Sequence, residues 1–215
     1  MKFNTKRVDE SGVLIALATI LSFIKISPQF LYGGGVTVFS MVPLCVLACK
    51  YGTAWGLCCG LCYGALQMIW GAAGSQAFAG LTPLACVVMA MLDYVVAYGV
   101  IGFAGAFCTK GRASARRAVL GGAMAVGLRY AAHFLSGVVL WGSYAEWFFA
   151  ENMNNAFGQG VLARFSGTGL ACIYSAVYNG LYMVPEIILT AFGLWVIFGV
   201  RPLRKAILGE RSPES

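Results

Sequence analysis

The sequence predicts an all-α integral membrane protein, one domain of six transmembrane helices over residues 1–215. Three observations carry this. First, 60% of the 215 residues are hydrophobic and only 11% are charged, against about 25% charged in a soluble domain, and mean hydropathy is +0.78. Second, apolar stretches recur near the length of about 20 residues that a helix needs to cross a bilayer. Third, twelve of the fifteen basic residues fall on one side of those stretches. The alternation of period two that marks a membrane barrel is absent.

The first span is read over Gly12–Ser27, behind Lys2, Lys6 and Arg7. Its outline resembles a secretory leader, but Lys25-Ile26-Ser27-Pro28 follows instead of a small-residue cleavage site, so a retained span is expected. The second, Val36–Ala48, is short and holds Pro43. The third is Ala54–Gly71. The fourth, Leu81–Cys108, and the sixth, Leu170–Val200, are long enough to tilt or to extend beyond the bilayer. The fifth is Ala118–Trp141.

Between these spans, Lys50, then Lys110, Arg112, Arg116 and Arg117, and finally Arg201, Arg204, Lys205 and Arg211 share the side of the N-terminus. Lys25 and Arg164 lie opposite. The positive-inside rule then puts residues 1–10 and the tail 201–215 in the cytoplasm. The net charge of +7 is therefore a topology signal rather than a nucleic-acid patch.

The outer connections include Ser27–Gly35, which ends in three glycines and reads equally as a mobile lid or a tight link. The longest polar stretch is Gly142–Gly169. Eight cysteines lie within or beside the spans, with Cys45/Cys49 and Cys58/Cys62 each four apart. Without further ligands nearby they read as small packing residues, and a disulfide framework is not expected. No P-loop, nucleophile elbow or His-Glu-x-x-His motif occurs. Energised transport would have to draw on an ion gradient or a partner.

Polar side chains inside a span are costly and point to function. Arg129, His133, Gly137 and Trp141 follow at intervals of four in the fifth span, so on a helix they share a slowly turning stripe. Asp93 lies in the fourth span; Tyr174, Tyr178, Asn179 and Glu186 lie in the sixth. At about 1.5 Å of rise per residue, Asp93 is roughly 18 Å deep from the outer side, Tyr174 roughly 6 Å and Asn179 roughly 14 Å. His133 is about 12 Å below Trp141. These groups can converge in the outer half of the membrane. Arg129 is expected to pair structurally with Glu186 or Asp93.

A carboxylate among aromatic faces suits a flat, cationic heteroaromatic solute. An asparagine supplies donor and acceptor for an aminopyrimidine-like edge, and Gly137 offers a bare backbone for close approach. Blander readings stand beside these: Trp141 and the tyrosines as an interfacial belt, His133 as an interhelical hydrogen-bond partner, and Asp93 as the counter-ion of Arg129.

The segments Leu92-Asp93-Tyr94, His133-Phe134-Leu135-Ser136-Gly137 with Trp141-Gly142-Ser143-Tyr144-Ala145, and Tyr174-x4-Asn179-Gly180 resemble the thiamine-specific substrate-binding subunits (S-components) of energy-coupling factor (ECF) transporters. The resemblance covers most of the chain. It implies the S-component fold, a bacterial cell membrane location, and capture of thiamine from outside at high affinity. It implies binding roles for Asp93, Tyr94, His133, Gly137, Trp141, Tyr174 and Asn179, with Trp141 stacking on a ligand ring. It also implies docking on a transmembrane coupling protein driven by two ATPase subunits, with ATP used only by those partners. No cofactor, metal or enzymatic activity is expected.

The family's tryptophan in the first outer loop is replaced by Phe30 or Tyr32, and Phe78 is the nearest aromatic before Asp93. Family docking uses small residues on helix one, for which Gly12, Ala16 and Ala18 are available. The alternatives are an S-component for another vitamin or precursor, and an intramembrane enzyme with Asp93 and His133 as acid and base.

Overall fold

A computed structural model describes residues 5–27, 34–74, 77–108 and 113–208. The proposed lid residues Phe30 and Tyr32, like Lys2, Lys110, Arg112 and Arg211, lie outside them. Helix α1 is Thr5–Phe23. It buries Ser11 and Ala18, while Val13, Leu17 and Ile20 stay exposed as an apolar stripe. Gly12 and Ala16 lie on the exposed side, whereas Ala18 is fully enclosed in the core.

The chain then turns back. Lys25–Ile26 (β1) pairs antiparallel with Val36–Thr37 (β2), Lys25 opposite Thr37. Phe39 adopts a positive φ of 61° as the chain turns into α2, Val42–Tyr51. This corrects the second expected span. Its first residues form a strand and a turn, and α2 has only 10 residues, about 15 Å of a hydrocarbon core about 30 Å thick. Pro43 occupies the first turn, where its missing N–H costs nothing. Every residue from Val42 to Cys49 is buried, because a helix apolar on all sides belongs inside the bundle.

Helix α3 is Thr53–Gly74, and α4 is Pro83–Phe107. Thr82 caps α4 by accepting from Ala85 N at 3.3 Å. Gly56, Gly60 and Gly64 bring the α3 backbone onto α4. A Cβ at Gly60 would sit 2.2 Å from the Tyr98 carbonyl oxygen, and one at Gly64 2.6 Å from that of Tyr94. Such small-residue seams replace hydrophobic collapse inside a bilayer.

Helix α5 runs over Ala115–Asn152, regular as far as Trp141 and capped by Ser114. Beyond Trp141 it tightens and widens through 3₁₀ and π turns. The expected outer loop is thus largely helical. It continues into α6, Ala156–Leu162, whose cap Asn155 accepts from Phe157 N and Gly158 N. Ala145, Phe148, Phe149 and Val161 pack with Leu170 and Tyr174 into a second small core over the outer end.

Helix α7, Gly167–Gly199, has 33 residues with Pro185 inside it, about 50 Å of rise. Part of the expected C-terminal tail forms α8, Arg201–Leu208. Four helices, α3, α4, α5 and α7, are long and apolar enough to cross a membrane among the described residues. With α1 and the enclosed α2 they make one all-helical bundle, whose core includes Leu44, Tyr63, Met183, Leu194 and Phe198.

Gly60→Leu is expected to force α3 off α4 and destabilise the protein by about 1–3 kcal/mol, the usual range for overpacking. The check is the thermal unfolding midpoint in detergent; an unchanged midpoint contradicts the seam.

Candidate functional site

Asp93 owes its direction to an irregularity in α4. Residues Ala90–Val96 form a π-helical segment, whose wider turn shifts the side-chain register relative to an α-helix. The carboxylate thereby meets two residues of α5 three apart. Asp93 Oδ1 lies 2.7 Å from His133 Nδ1, and Asp93 Oδ2 accepts from Ser136 Oγ at 2.6 Å. A carboxylate requires the proton at Nδ1, which fixes the tautomer of a neutral imidazole. His133 Nε2 is buried and has no hydrogen-bond partner among the described residues.

Arg129, one turn deeper, does not reach Asp93. Its Nη1 donates to Glu186 Oε2 on α7, and Nη2 donates to Tyr98 Oη at 3.3 Å. The guanidinium also lies over the Tyr98 ring, 4.8 Å from its centroid. Glu186 accepts in addition from Thr37, through the backbone N at 3.2 Å and through Oγ1. Arg129 and Glu186 are 6% and 2% exposed, so the pair is buried, with Arg129 bordering the cavity above it. Of the two partners the sequence left open for Arg129, the structure selects Glu186.

Above this floor opens a cavity of about 870 Å³. All seven residues singled out in the sequence border it: Asp93, Tyr94, His133, Gly137, Trp141, Tyr174 and Asn179. Two of them also form the seam between α5 and α7. A Cβ at Gly137 would lie 2.1 Å from Ser175 Oγ and 3.0 Å from Asn179 Nδ2. The bare backbone therefore accommodates α7 while it borders the cavity. Asn179 spends its amide on the same seam: Nδ2 donates to Ser175 O at 2.9 Å and to His133 O at 3.3 Å, while Oδ1 accepts from Tyr182 Oη.

The tyrosines of α7 turn inward rather than forming an interfacial belt. Tyr174 and Tyr178 rings lie 5.6 Å apart, Tyr178 and Tyr182 rings 6.1 Å, and Phe148 meets Tyr174 edge-on at 5.2 Å. Tyr178 Oη accepts from Gly34 N at 3.1 Å, tying the turn before β2 to the wall. Trp141 stands beside Tyr144 at 6.0 Å. Tyr94 stacks on Phe78 at 5.8 Å and 25°, its hydroxyl lying over Gly71.

Ser136, Tyr178, Tyr182, Trp147 and Phe148 border the cavity as well. Tyr178 and Tyr182 continue the four-residue spacing of Tyr174, and Ser136 follows His133 by three; those intervals were the available signal. Trp147 and Phe148 came from a stretch read as loop. Among the described residues, no group of three or more His, Cys, Asp or Glu is placed to hold a metal.

The family model described as "Thiamine transporter protein (Thia_YuaJ)" matches residues 8–153. The thiamine transporter ThiT of Bacillus subtilis (strain 168) is 32% identical over 208 residues, covering 91% of this chain and 92% of that one. A solved structure of ThiT from Listeria monocytogenes matches with a TM-score of 0.64, at 23% identity, over 93% of this chain and 97% of that one. At that identity the likeness establishes the fold.

Glu186→Gln leaves the Arg129 charge buried without a counter-ion, at an expected cost of about 3–5 kcal/mol. Replacing Arg129 and Glu186 together by methionine is expected to restore much of the loss. Thermal unfolding of the single and double variants decides this, and a Glu186→Gln protein as stable as its parent contradicts it.

Proposed function

This chain belongs to the thiamine transporter protein family, and we propose that its cavity binds thiamine as the substrate-capture subunit of an ATP-driven ECF importer. The chain is a membrane protein of a transporter family rather than an enzyme, so the acid–base alternative for Asp93 and His133 falls away.

The observation that carries the ligand reading is Asp93, a carboxylate held by His133 and Ser136 on the wall of an aromatic-lined cavity. Thiamine joins two flat rings, an aminopyrimidine and a permanently cationic thiazolium, through a methylene bridge. Asp93 supplies the counter-charge, and each aromatic face that meets the cation contributes roughly 0.5–2 kcal/mol. Tyr94, His133, Trp141 and Tyr174 are assigned as contact residues. Asn179 and Gly137 are assigned as residues that hold the wall in place.

ATP hydrolysis is assigned to partners, because no P-loop occurs in the sequence. The partners proposed are the family's transmembrane coupling protein and two ATPase subunits, with both termini of this chain in the cytoplasm. The exposed stripe of α1, with Gly12 and Ala16, is the proposed docking face. A second vitamin as ligand is the reading to which a failed thiamine titration would turn.

Purified protein is expected to show saturable quenching of tryptophan fluorescence on titration with thiamine; no saturable response at micromolar concentration removes the assignment. Asp93→Asn is expected to weaken thiamine by roughly 2 kcal/mol, about 30-fold. An analogue with a neutral ring in place of thiazolium is expected to lose far less. Equal losses for the two ligands contradict the charge role.

A further inference from the structure

Two sulfur atoms meet at the end of the bundle away from the cavity. Cys49 lies in the last turn of α2, and Cys108 directly follows α4. Their Sγ atoms are 3.0 Å apart, inside ordinary van der Waals separation. Neither belongs to a disulfide, and neither borders the cavity.

The contact follows from the backbone. Gly105 lets α4 settle onto α2 so closely that a Cβ there would lie 2.4 Å from Ala48 O. Cys49 Sγ also donates to Ala104 O at 3.5 Å. Two thiols carried on backbones this near need to close by only about 1 Å to reach the S–S bond length of about 2.05 Å. Enclosure is nearly complete, Cys49 being 3% and Cys108 6% exposed. Only a small, uncharged oxidant fits such a site. Cys45, one turn back on α2 and fully buried, is the sole neighbouring thiol on that helix.

We propose that Cys49 and Cys108 form an oxidisable dithiol that hydrogen peroxide converts to a disulfide clasping α2 to α4. One sulfur, as thiolate, attacks the peroxide oxygen, breaking the O–O bond and giving a sulfenic acid and one water. The second sulfur then displaces the sulfenic oxygen as a second water and forms the S–S bond. Two electrons pass from the sulfurs to the peroxide, and the two thiol protons end in the waters. The clasp pins the far end of the helix that the cavity-bordering residues Ser40 and Met41 lead into.

The test uses the full chain in detergent, reduced, freed of reductant and treated with hydrogen peroxide. It is then denatured, alkylated with N-ethylmaleimide and mapped by mass spectrometry. Two of the eight cysteines are expected to escape alkylation, in a linked peptide pair containing Cys49 and Cys108 and lighter by about 2 Da. Dithiothreitol is expected to restore both. Cys49→Ser and Cys108→Ser each abolish the link, and Cys45→Ser preserves it. Should a variant fail to fold, the wild-type map alone decides. Retained alkylation of both residues, a link through Cys45, or accumulation of sulfinic acid without a link overturns the proposal.

Discussion

Glu186 is the fixed point of this molecule. A carboxylate buried at membrane depth has no water to satisfy it, and an unpaired buried charge costs several kcal/mol. Glu186 answers with two partners from different parts of the chain, Arg129 on α5 and Thr37 before α2. The second partner matters as much as the first. Backbone that is neither helix nor closed sheet survives at this depth only when protein or a lined cavity satisfies its polar groups. The turn from Gly34 to Met41 meets that condition through Glu186 at one point and Tyr178 at another. The cavity has a floor because one acid holds both a helix and a non-helical segment against α7.

That floor also sets the electrostatics above it. Arg129 and Glu186 offset each other, and Lys25, which also borders the cavity, acts electrostatically on Glu186. The upper tier is Asp93 with a hydroxyl and an imidazole as donors. Asp93 is the one carboxylate among the described residues that border the cavity, and it sits within an aromatic enclosure. The two tiers stay separate because Arg129 reaches Tyr98 and Glu186 and does not reach Asp93.

The long helices α3, α4, α5 and α7 were legible in the sequence because sustained apolar composition has few other uses. The helix α2 was not, since a fully enclosed short helix and a strand leading into it have the same hydropathy as a span. The π segment around Asp93 leaves no compositional mark, so the depth of Asp93 was readable but its direction was not. Depth along the helices allowed Asp93, His133, Trp141, Tyr174 and Asn179 to converge, and the resemblance added Tyr94 and completed the set that borders the cavity. Their division of labour was not legible. Gly137 and Asn179 border the cavity, but nothing in the sequence reveals that Ser175 of α7 packs into the space beside the glycine. Trp147 and Phe148 were hidden by the polar neighbours of a stretch that folds into helical turns.

The stripe on α5 has a counterpart that explains the shape of the site. Arg129, His133, Gly137 and Trp141 ascend α5 in fours; Tyr174, Tyr178, Tyr182 and Glu186 descend α7 in fours. The helices pack antiparallel in that register: Arg129 against Glu186, the His133 ring 6.2 Å from Tyr182, and Gly137 beside Ser175 and Asn179. A step of four residues advances about 40° around a helix of 3.6 residues per turn. Paired stripes that start face to face therefore wind away from the contact line over three steps. At the bottom the side chains meet as an ion pair. At the top Trp141 stands beside Tyr144, and Tyr174 meets Phe148 of the outer turns. The same interval that closes the floor opens the mouth, and the second small core over the outer end fills the divergence it creates.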